Sequence, residues 1–255
     1  MNRILKYVFL DIFQNKIVIL YTLILALFAW STLSLEDNNS KGLLTLLNII
    51  LLAVPLVSIL FSTIYVYNSN EFIELLVSHP LKRSKIWISL FLGLSLSLIF
   101  AFVIGAGIPI LLFSEWDKAY MMILVGMFIT VIFVAIAFLS TIITRDKAKG
   151  IGISILLWLY FSLLFDGLVL FLLFQFADYP IEKYMVVLTS LNPIDLSRVL
   201  ILLELDVSAM MGYTGAIFKL YFGSNGGLIV SFLLLFSWIA LPFGLSLIKF
   251  RKKDL

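Results

Sequence analysis

Six long apolar runs limit what this chain can become. They are Ile17–Leu35, Leu43–Tyr67, Ile86–Phe113, Ala119–Ile143, Ile151–Phe176 and Leu228–Ile248. A hydrocarbon core takes roughly 20 consecutive apolar residues per helix, and each run is of about that length or longer. Lipid gives a bare backbone no hydrogen bonds, so only helices and closed barrels cross it. Barrel strands would alternate apolar and polar residues, whereas these runs are continuously apolar. The expected fold is all-α, a polytopic membrane protein with six transmembrane helices. Only 13% of the 255 residues are charged, against about 25% in an ordinary soluble domain. Residues 1–255 are therefore expected to form a single transmembrane domain with no soluble domain attached.

The flanks add direction. In Met1–Gln14 the apolar Ile4, Leu5, Val8 and Ile12 are set against Lys6, the pattern of a short interfacial helix. Ser34-Leu35-Glu36 is a poor cleavage site, so the first run reads as a retained span rather than a signal peptide. Thirteen of the eighteen Lys and Arg residues fall in the N-terminus, residues 68–85, residues 144–150 and the C-terminal tail. The other five, Lys41, Lys118, Lys183, Arg198 and Lys219, lie on the opposite side with most of the acidic residues. The positive-inside rule puts the first set, and both termini, in the cytoplasm. The net charge of +3 thus divides into two opposed surfaces and gives no reason to expect nucleic-acid binding. The chain has no Cys, so disulfide and thiol chemistry are absent.

The outer connections Glu36–Gly42 and Ser114–Lys118 read as short hairpins, but the last, Ala177–Gly227, is long. Tyr184–Leu203 within it is apolar enough to suggest a seventh span. Asn192, Pro193, Asp195 and Arg198 interrupt it, and an odd count would put the basic tail outside. Asn192 instead reads as a helix cap, Pro193 as the first helical residue and Asp195 as an acid in the first turn. The helix that follows, to about Leu205, is expected to lie flat at the outer surface or pack over the bundle. The cluster Gly223–Gly227 reads as the turn into the last span.

The polar interval Asn68–Lys85 is the other structured surface. Asn68 is a candidate cap with Glu71 reaching back to it. Glu71, Glu74 and Ser78 share one helical face; Phe72, Ile73 and Leu76 share another. Pro80 disfavours helix at His79, so the helix should stop there. Lys82, Arg83 and Lys85 follow, and Trp87 is expected to anchor the next span at the membrane interface. Pattern alone allows a solvated loop with topology charges, or a coupling helix that inserts into a soluble motor.

The order Glu71, Glu74, Leu75, Leu76, then Pro80, then Lys82 and Arg83, then a span containing Leu92-Gly93, resembles the first cytoplasmic loop of ABC-2-type transporter permeases. Within that family, Leu191–Phe218 is similar to the last outer loop of the NosY branch, which serves assembly of the copper centres of nitrous-oxide reductase. The resemblance implies a permease in a bacterial inner membrane and a homodimer of the chain. It implies a NosF-like cytoplasmic ATPase that carries the ATP and Mg, docked on Glu71, Glu74, Leu75, Leu76, Pro80, Lys82 and Arg83. It also implies a NosD-like periplasmic protein, for which Asn192, Pro193, Asp195 and Arg198 are the candidate contact. An exporter of another ABC-2 branch, for a lipid, drug or polysaccharide, is the alternative. Independently, a phosphate-cradling loop ends in Gly-Lys, and no Lys here follows a Gly. The chain is expected to be no enzyme, with no catalytic residues, no metal site and no cofactor of its own.

Several residues carry two readings. Asp166 is the only charged residue deep in a run. It is either a gate, ion site or latch, at a dimer interface or outward cavity, or a protonated or water-linked structural acid; Ser162 one turn earlier is a candidate neighbour. Ser89, Gly93, Ser97, Ala101 and Gly105, spaced by four, form a small-residue ridge for close helix packing in the bundle or across a dimer. Pro55, Pro109 and Pro242 either kink rocking helices or belong to static packing. Met121, Met122, Met185, Met210 and Met211 lie on or near the outer side, but without His or Cys they read better as gap fillers than as Cu(I) ligands. The single histidine, His79, beside Pro80, excludes a HExxH site and an intramembrane Ser–His pair. A secondary transporter would want repeats and several midplane polar sites, and this chain offers little beyond Asp166.

Overall fold

The computed structural model describes residues 2–36, 39–144, 146–176, 182–205 and 225–252. Every element among them is a helix. A short amphipathic α1 (Asn2–Phe13) leads into the first span, α2 (Lys16–Leu35). Then come the second span α3 (Asn39–Asn68), the short α4 (Asn70–Ser78), the third span α5 (Arg83–Phe113) and the fourth span α6 (Trp116–Ile143). The fifth span, α7 (Lys147–Gln175), precedes α8 (Glu182–Ser190), α9 (Pro193–Glu204) and the sixth span, α10 (Asn225–Lys252). The protein is thus an all-α membrane protein, with six helices among the described residues long and apolar enough to cross a bilayer. Each span begins before the apolar run read from sequence, because helix geometry continues into the polar flanks.

α6 is the axis of the bundle. About 72% of its most apolar stretch is buried, against 17% for those of α7 and α10. α3, α5, α7, α9 and α10 all pack on it. Two glycines permit the closest approaches. The ring of Phe102 on α5 lies where a Cβ of Gly126 on α6 would be, and the ring of Tyr67 on α3 lies where a Cβ of Gly150 on α7 would be. The Tyr67 hydroxyl then donates to the Thr144 carbonyl at 3.0 Å, tying α3 to the α6–α7 connection.

The ridge Ser89–Gly93–Ser97–Ala101–Gly105 is buried within the chain, where α1 and α2 pack on it. A Cβ on Gly93 would lie 2.8 Å from Val8 Cγ1, and one on Gly105 2.8 Å from the Thr22 carbonyl. Ser97 Oγ donates to the Phe9 carbonyl at 3.1 Å. Val8 and Ile12 are fully buried, so α1 presents part of its apolar face to the third span.

Three local expectations change. Trp87 is no interfacial anchor: it is 2% exposed, stacks on Phe250 at 4.2 Å and donates to Ser246 Oγ at 3.1 Å. A ring that size, free to meet two aromatic neighbours and a hydroxyl, gains more by burial than at the lipid surface. Gly226 and Gly227 belong to the first turn of α10 rather than to a turn before it, and residues 223–224 lie outside the described residues. Pro109 produces a π-turn rather than a simple kink. Residues Val103–Gly107 are wound wide, with the Ile108 N–H bonded five residues back to the Val103 carbonyl, just before the residue that has no N–H.

A second π-turn, Tyr160–Leu164, sits in α7 with no proline near it. Its cause is therefore tertiary, and it lies beside the site described next.

Candidate functional site

Two polar constellations stand at opposite ends of the bundle. At the end that carries α1 and α4, the chain breaks after Asn68. Ser69, not Asn68, occupies the N-cap of α4, and its side chain makes no capping bond. Asn68 remains the last residue of α3, and its Oδ1 accepts from Lys147 Nζ at 2.7 Å. The stop at the other end of α4 follows the proline rule: Ser78 is the last helical residue and His79 is extended, with φ −81° and ψ 160°.

α4 is divided by burial. Ile73 and Leu76 are buried, and Phe72 meets Tyr7 of α1 with ring centroids 5.5 Å apart. Leu76 therefore anchors α4 to the bundle and does not belong to an outward face. Glu71, Glu74, Ser78, Pro80 and Lys82 are exposed, and Arg83 is half-buried in the first turn of α5. Leu75 stands 58% exposed between the glutamates and the basic cluster, with Leu81 40% exposed beyond it. A leucine exposed on a short helix, flanked by both signs of charge, is the kind of feature a protein partner covers.

At the opposite end, α9 begins as its sequence requires. Asn192 caps it, its Oδ1 accepting from the Ile194 N–H at 3.0 Å, and Pro193 opens the first turn. The helix does not lie free on the surface. Ile194, Leu196, Leu200 and Ile201 are buried, and it packs on α6, α10 and α3. At 12 residues it is too short to cross a bilayer.

The four residues read as a contact for an outside protein turn inward instead. Asn192 is fully buried and Pro193 is buried. Asn192 Nδ2 donates to the Phe161 carbonyl at 2.8 Å and to Asp195 Oδ2 at 3.0 Å. Arg198 Nη1 donates to Asp166 Oδ2 at 3.1 Å and to Asp195 Oδ1 at 3.4 Å. The physical reason is that buried polar groups require partners, and α7 supplies both a carbonyl and a carboxylate where α9 lands. The intramembrane Asp166 is thus an ion-pair partner of Arg198 rather than a solitary acid. Ser162 does not join it, because its hydroxyl donates back to the Trp158 carbonyl at 2.7 Å.

The π-turn explains the Phe161 contact. In an α-turn the Phe165 N–H would bond the Phe161 carbonyl; here it bonds Tyr160. The Phe161 carbonyl is left for Asn192. The Phe161 ring is held as well, edge-on to Trp238 of α10 at 5.4 Å and to Phe133 of α6 at 6.2 Å. Nothing local in the sequence marks this node, since no proline accompanies the π-turn.

Burial raises the carboxyl of Asp195 first, and the hydrogen bond and charge of Asp166 raise it further, to about 7. Arg198 and Asn192 pull the other way without prevailing. No other charged side chain among the described residues of the helices around α9 contributes to the shift. The folded state therefore holds this proton more tightly than the unfolded chain does. The stability this contributes is fully present below the ordinary carboxylate value near 3.8 and is lost as pH rises to about 7. The detergent-solubilised protein should melt at lower temperature at pH 8 than at pH 5. Asp195→Asn should flatten that difference, and an unchanged pH slope in the variant would refute the assignment.

No group of three or more His, Cys, Asp or Glu side chains among the described residues is placed to hold a metal. Met122 is fully buried and Met121 is 8% exposed, both packed in the core. Met210 and Met211 lie outside the described residues, as does the side chain of Met185. An open apolar groove of about 310 Å³ runs between α6, α7 and α10, lined in part by Ser140, Leu157, Phe161, Trp238 and Pro242.

Residues 4–255 match the family model described as ABC-2 family transporter protein. The chain is also 29% identical over 171 residues to the protein named probable ABC transporter permease protein NosY from Pseudomonas aeruginosa. That match covers 62% of this chain and 62% of the relative's length.

Proposed function

The chain belongs to the ABC-2 transporter family and is the permease of an ABC transporter, and on that premise we propose that α4 is where its ATPase docks and that the complex serves nitrous-oxide reductase. The family works with a separate ABC ATPase, and the permease is the transport subunit rather than the ATPase itself. ATP and Mg would be bound on that partner.

The observation that carries the reading is the outward face of α4. Glu71, Glu74 and Leu75 project into water from a helix pinned at its back by Ile73, Leu76 and the Tyr7–Phe72 contact. A rigid helix transmits a push, and a frayed loop would absorb it. Pro80, Lys82 and Arg83 complete the face, and Arg83 begins the third span, so motion at α4 reaches α5 directly.

The same reading places both termini in the cytoplasm of a bacterial inner membrane, as the positive-inside bias indicates. Residues 1–255 act as one transmembrane domain. A second copy of the chain would cover part of the apolar faces of α7 and α10, with lipid on the rest. The likeness to a NosY protein supports a NosF-like ATPase, a NosD-like periplasmic protein and a part in assembling the copper centres of nitrous-oxide reductase. The inward turn of Asn192, Pro193, Asp195 and Arg198 supports a role for them in seating α9, whose outer surface the periplasmic partner would then meet.

The groove between α6, α7 and α10 favours a second reading, an ABC-2 exporter of an apolar substrate such as a lipid. Deleting the gene separates the two. The proposal expects nitrous-oxide reductase to accumulate without its copper chromophore, restored by the parent gene and not by a catalytically dead ATPase partner. Normal maturation in the deletion strain would overturn the copper assignment and leave the export reading.

A further inference from the structure

We propose that the π-turn Tyr160–Leu164 is a two-register switch, held wide by α9 through Asn192 on the Phe161 carbonyl and Arg198 on Asp166. A π-turn contains one residue more than an α-turn and gives up one regular backbone bond. Within a membrane a carbonyl without a donor is costly. The wide turn here is satisfied because Asn192 Nδ2 reaches the Phe161 carbonyl at 2.8 Å. When α9 withdraws, that carbonyl recovers a partner by taking back the Phe165 N–H, which closes the turn to α geometry.

Closing it has a defined consequence. One residue of helix register is about 100° of rotation and about 1.5 Å of rise. Everything after Leu164 turns by that amount, and Asp166 is the second residue on. Its carboxylate leaves Arg198, so the ion pair breaks in the same step. Each register is thus self-consistent: wide with α9 seated, narrow with α9 released. A bistable element with different contacts in its two states is what conformational coupling requires. The rotation is permitted because, apart from the buried Phe165 next to the turn, the segment after it has little to lose. Leu168, Leu170, Phe171 and Phe174 are all exposed apolar residues that face lipid-like surroundings in either register. The aromatic packing of the Phe161 ring on Trp238 and Phe133 fixes the first residues of the turn itself.

The place of this switch in a transport cycle rests on the permease reading, but the switch itself is testable without nucleotide. The chain has no Cys, so a single introduced thiol reports alone. Ser197 on α9 is fully buried and its hydroxyl has no hydrogen-bond partner, which makes Ser197→Cys a nearly isosteric probe of α9 seating. In proteoliposomes this thiol should resist a water-soluble maleimide. Deleting Leu163, a 54% exposed residue inside the turn, removes the extra residue and should speed labelling at least tenfold. Asp166→Asn and Asn192→Ala should do the same, and the charge exchange Asp166→Arg with Arg198→Asp should recover part of the protection that either change alone loses. Ser89→Cys, fully buried on α5, must stay protected throughout; where the deletion exposes it too, Asn192→Ala is the variant that decides. Co-purification of the ATPase should be unchanged in all of them, since residues before Tyr160 keep their register. Ser197→Cys labelling that is indifferent to the deletion and to Asn192→Ala overturns the switch, whereas loss of the ATPase from the parent chain would overturn the docking assignment instead.

Discussion

Leu75→Asp combined with Glu74→Arg should strip the ATPase from the purified permease while leaving the permease folded. Both side chains are exposed on α4, so neither substitution disturbs the bundle. Leu75 offers the apolar contact and Glu74 the adjacent charge, and buried apolar anchors ringed by polar groups carry most of the energy at protein interfaces. Removing one such anchor costs about 2 kcal/mol or more, roughly a 30-fold loss of affinity. Burying a new carboxylate in the same pocket adds to that. Affinity purification from membranes co-expressing the ATPase reads the result, with the permease's elution on size exclusion as the check on folding. Leu76→Asp is the informative contrast. It places a charge on the buried side of α4 and should lower the yield of folded permease itself. Full retention of the ATPase by the Leu75–Glu74 double variant would remove α4 as the docking helix.

The largest structural effect should come from Gly126→Val. A Cβ at Gly126 would clash with the edge of the Phe102 ring, which is itself fully buried. Phe102 has little room to yield, since it is the last α-helical residue before the π-turn Val103–Gly107. Even overpacking by a methylene or two usually costs about 1–3 kcal/mol, and here two extra branches are added at the centre of the most buried helix. Monodisperse protein after detergent extraction should fall to near nothing. Gly126→Ala should be milder, and Phe102→Leu should relieve it, because the two residues share one volume and their effects are not additive. Gly126→Val protein that melts with the parent would show that α5 and α6 are not packed as described.

These two sites differ in how far sequence reveals them. The α4 segment is legible because its signals are local. Glutamates at helical spacing, a proline that ends the helix and a basic cluster after it all act through nearest neighbours. Even so, local signals point to Asn68 as the cap, whereas Lys147, 79 residues away, claims that side chain. Leu76 matches the family motif as well as Leu75 does, yet the helix turns it to the bundle. Gly126 gives no local signal at all; its necessity comes from a ring on another helix. The same holds for Trp87, whose position at the start of a span suggests the membrane interface. It is Phe250 and Ser246 at the far end of the chain that draw it inside.

The α9 site is the sharper case. Asn192, Pro193 and Asp195 form a cap and first turn that the sequence predicts, and the structure has them. What they face could not be read. An exposed first turn and a buried one have the same residues, and only the packing of α9 on α6, α10 and α3 turns them inward. Asp166, read alone, looked like an isolated acid because its partner lies 32 residues on, in a segment that does not cross the membrane.

The sequence by itself determined that this protein is a helical membrane protein with six apolar spans, where each span lies, where α4 ends and where α9 begins. Those follow from hydrophobic length, proline and capping, which act over a turn or two of chain. Only the tertiary structure decided which helix is the axis, which glycines admit a ring, and that the fifth span is wound wide where Asn192 reaches it. Those depend on filling shared volume and on finding a partner for every buried polar group, and neither demand is local.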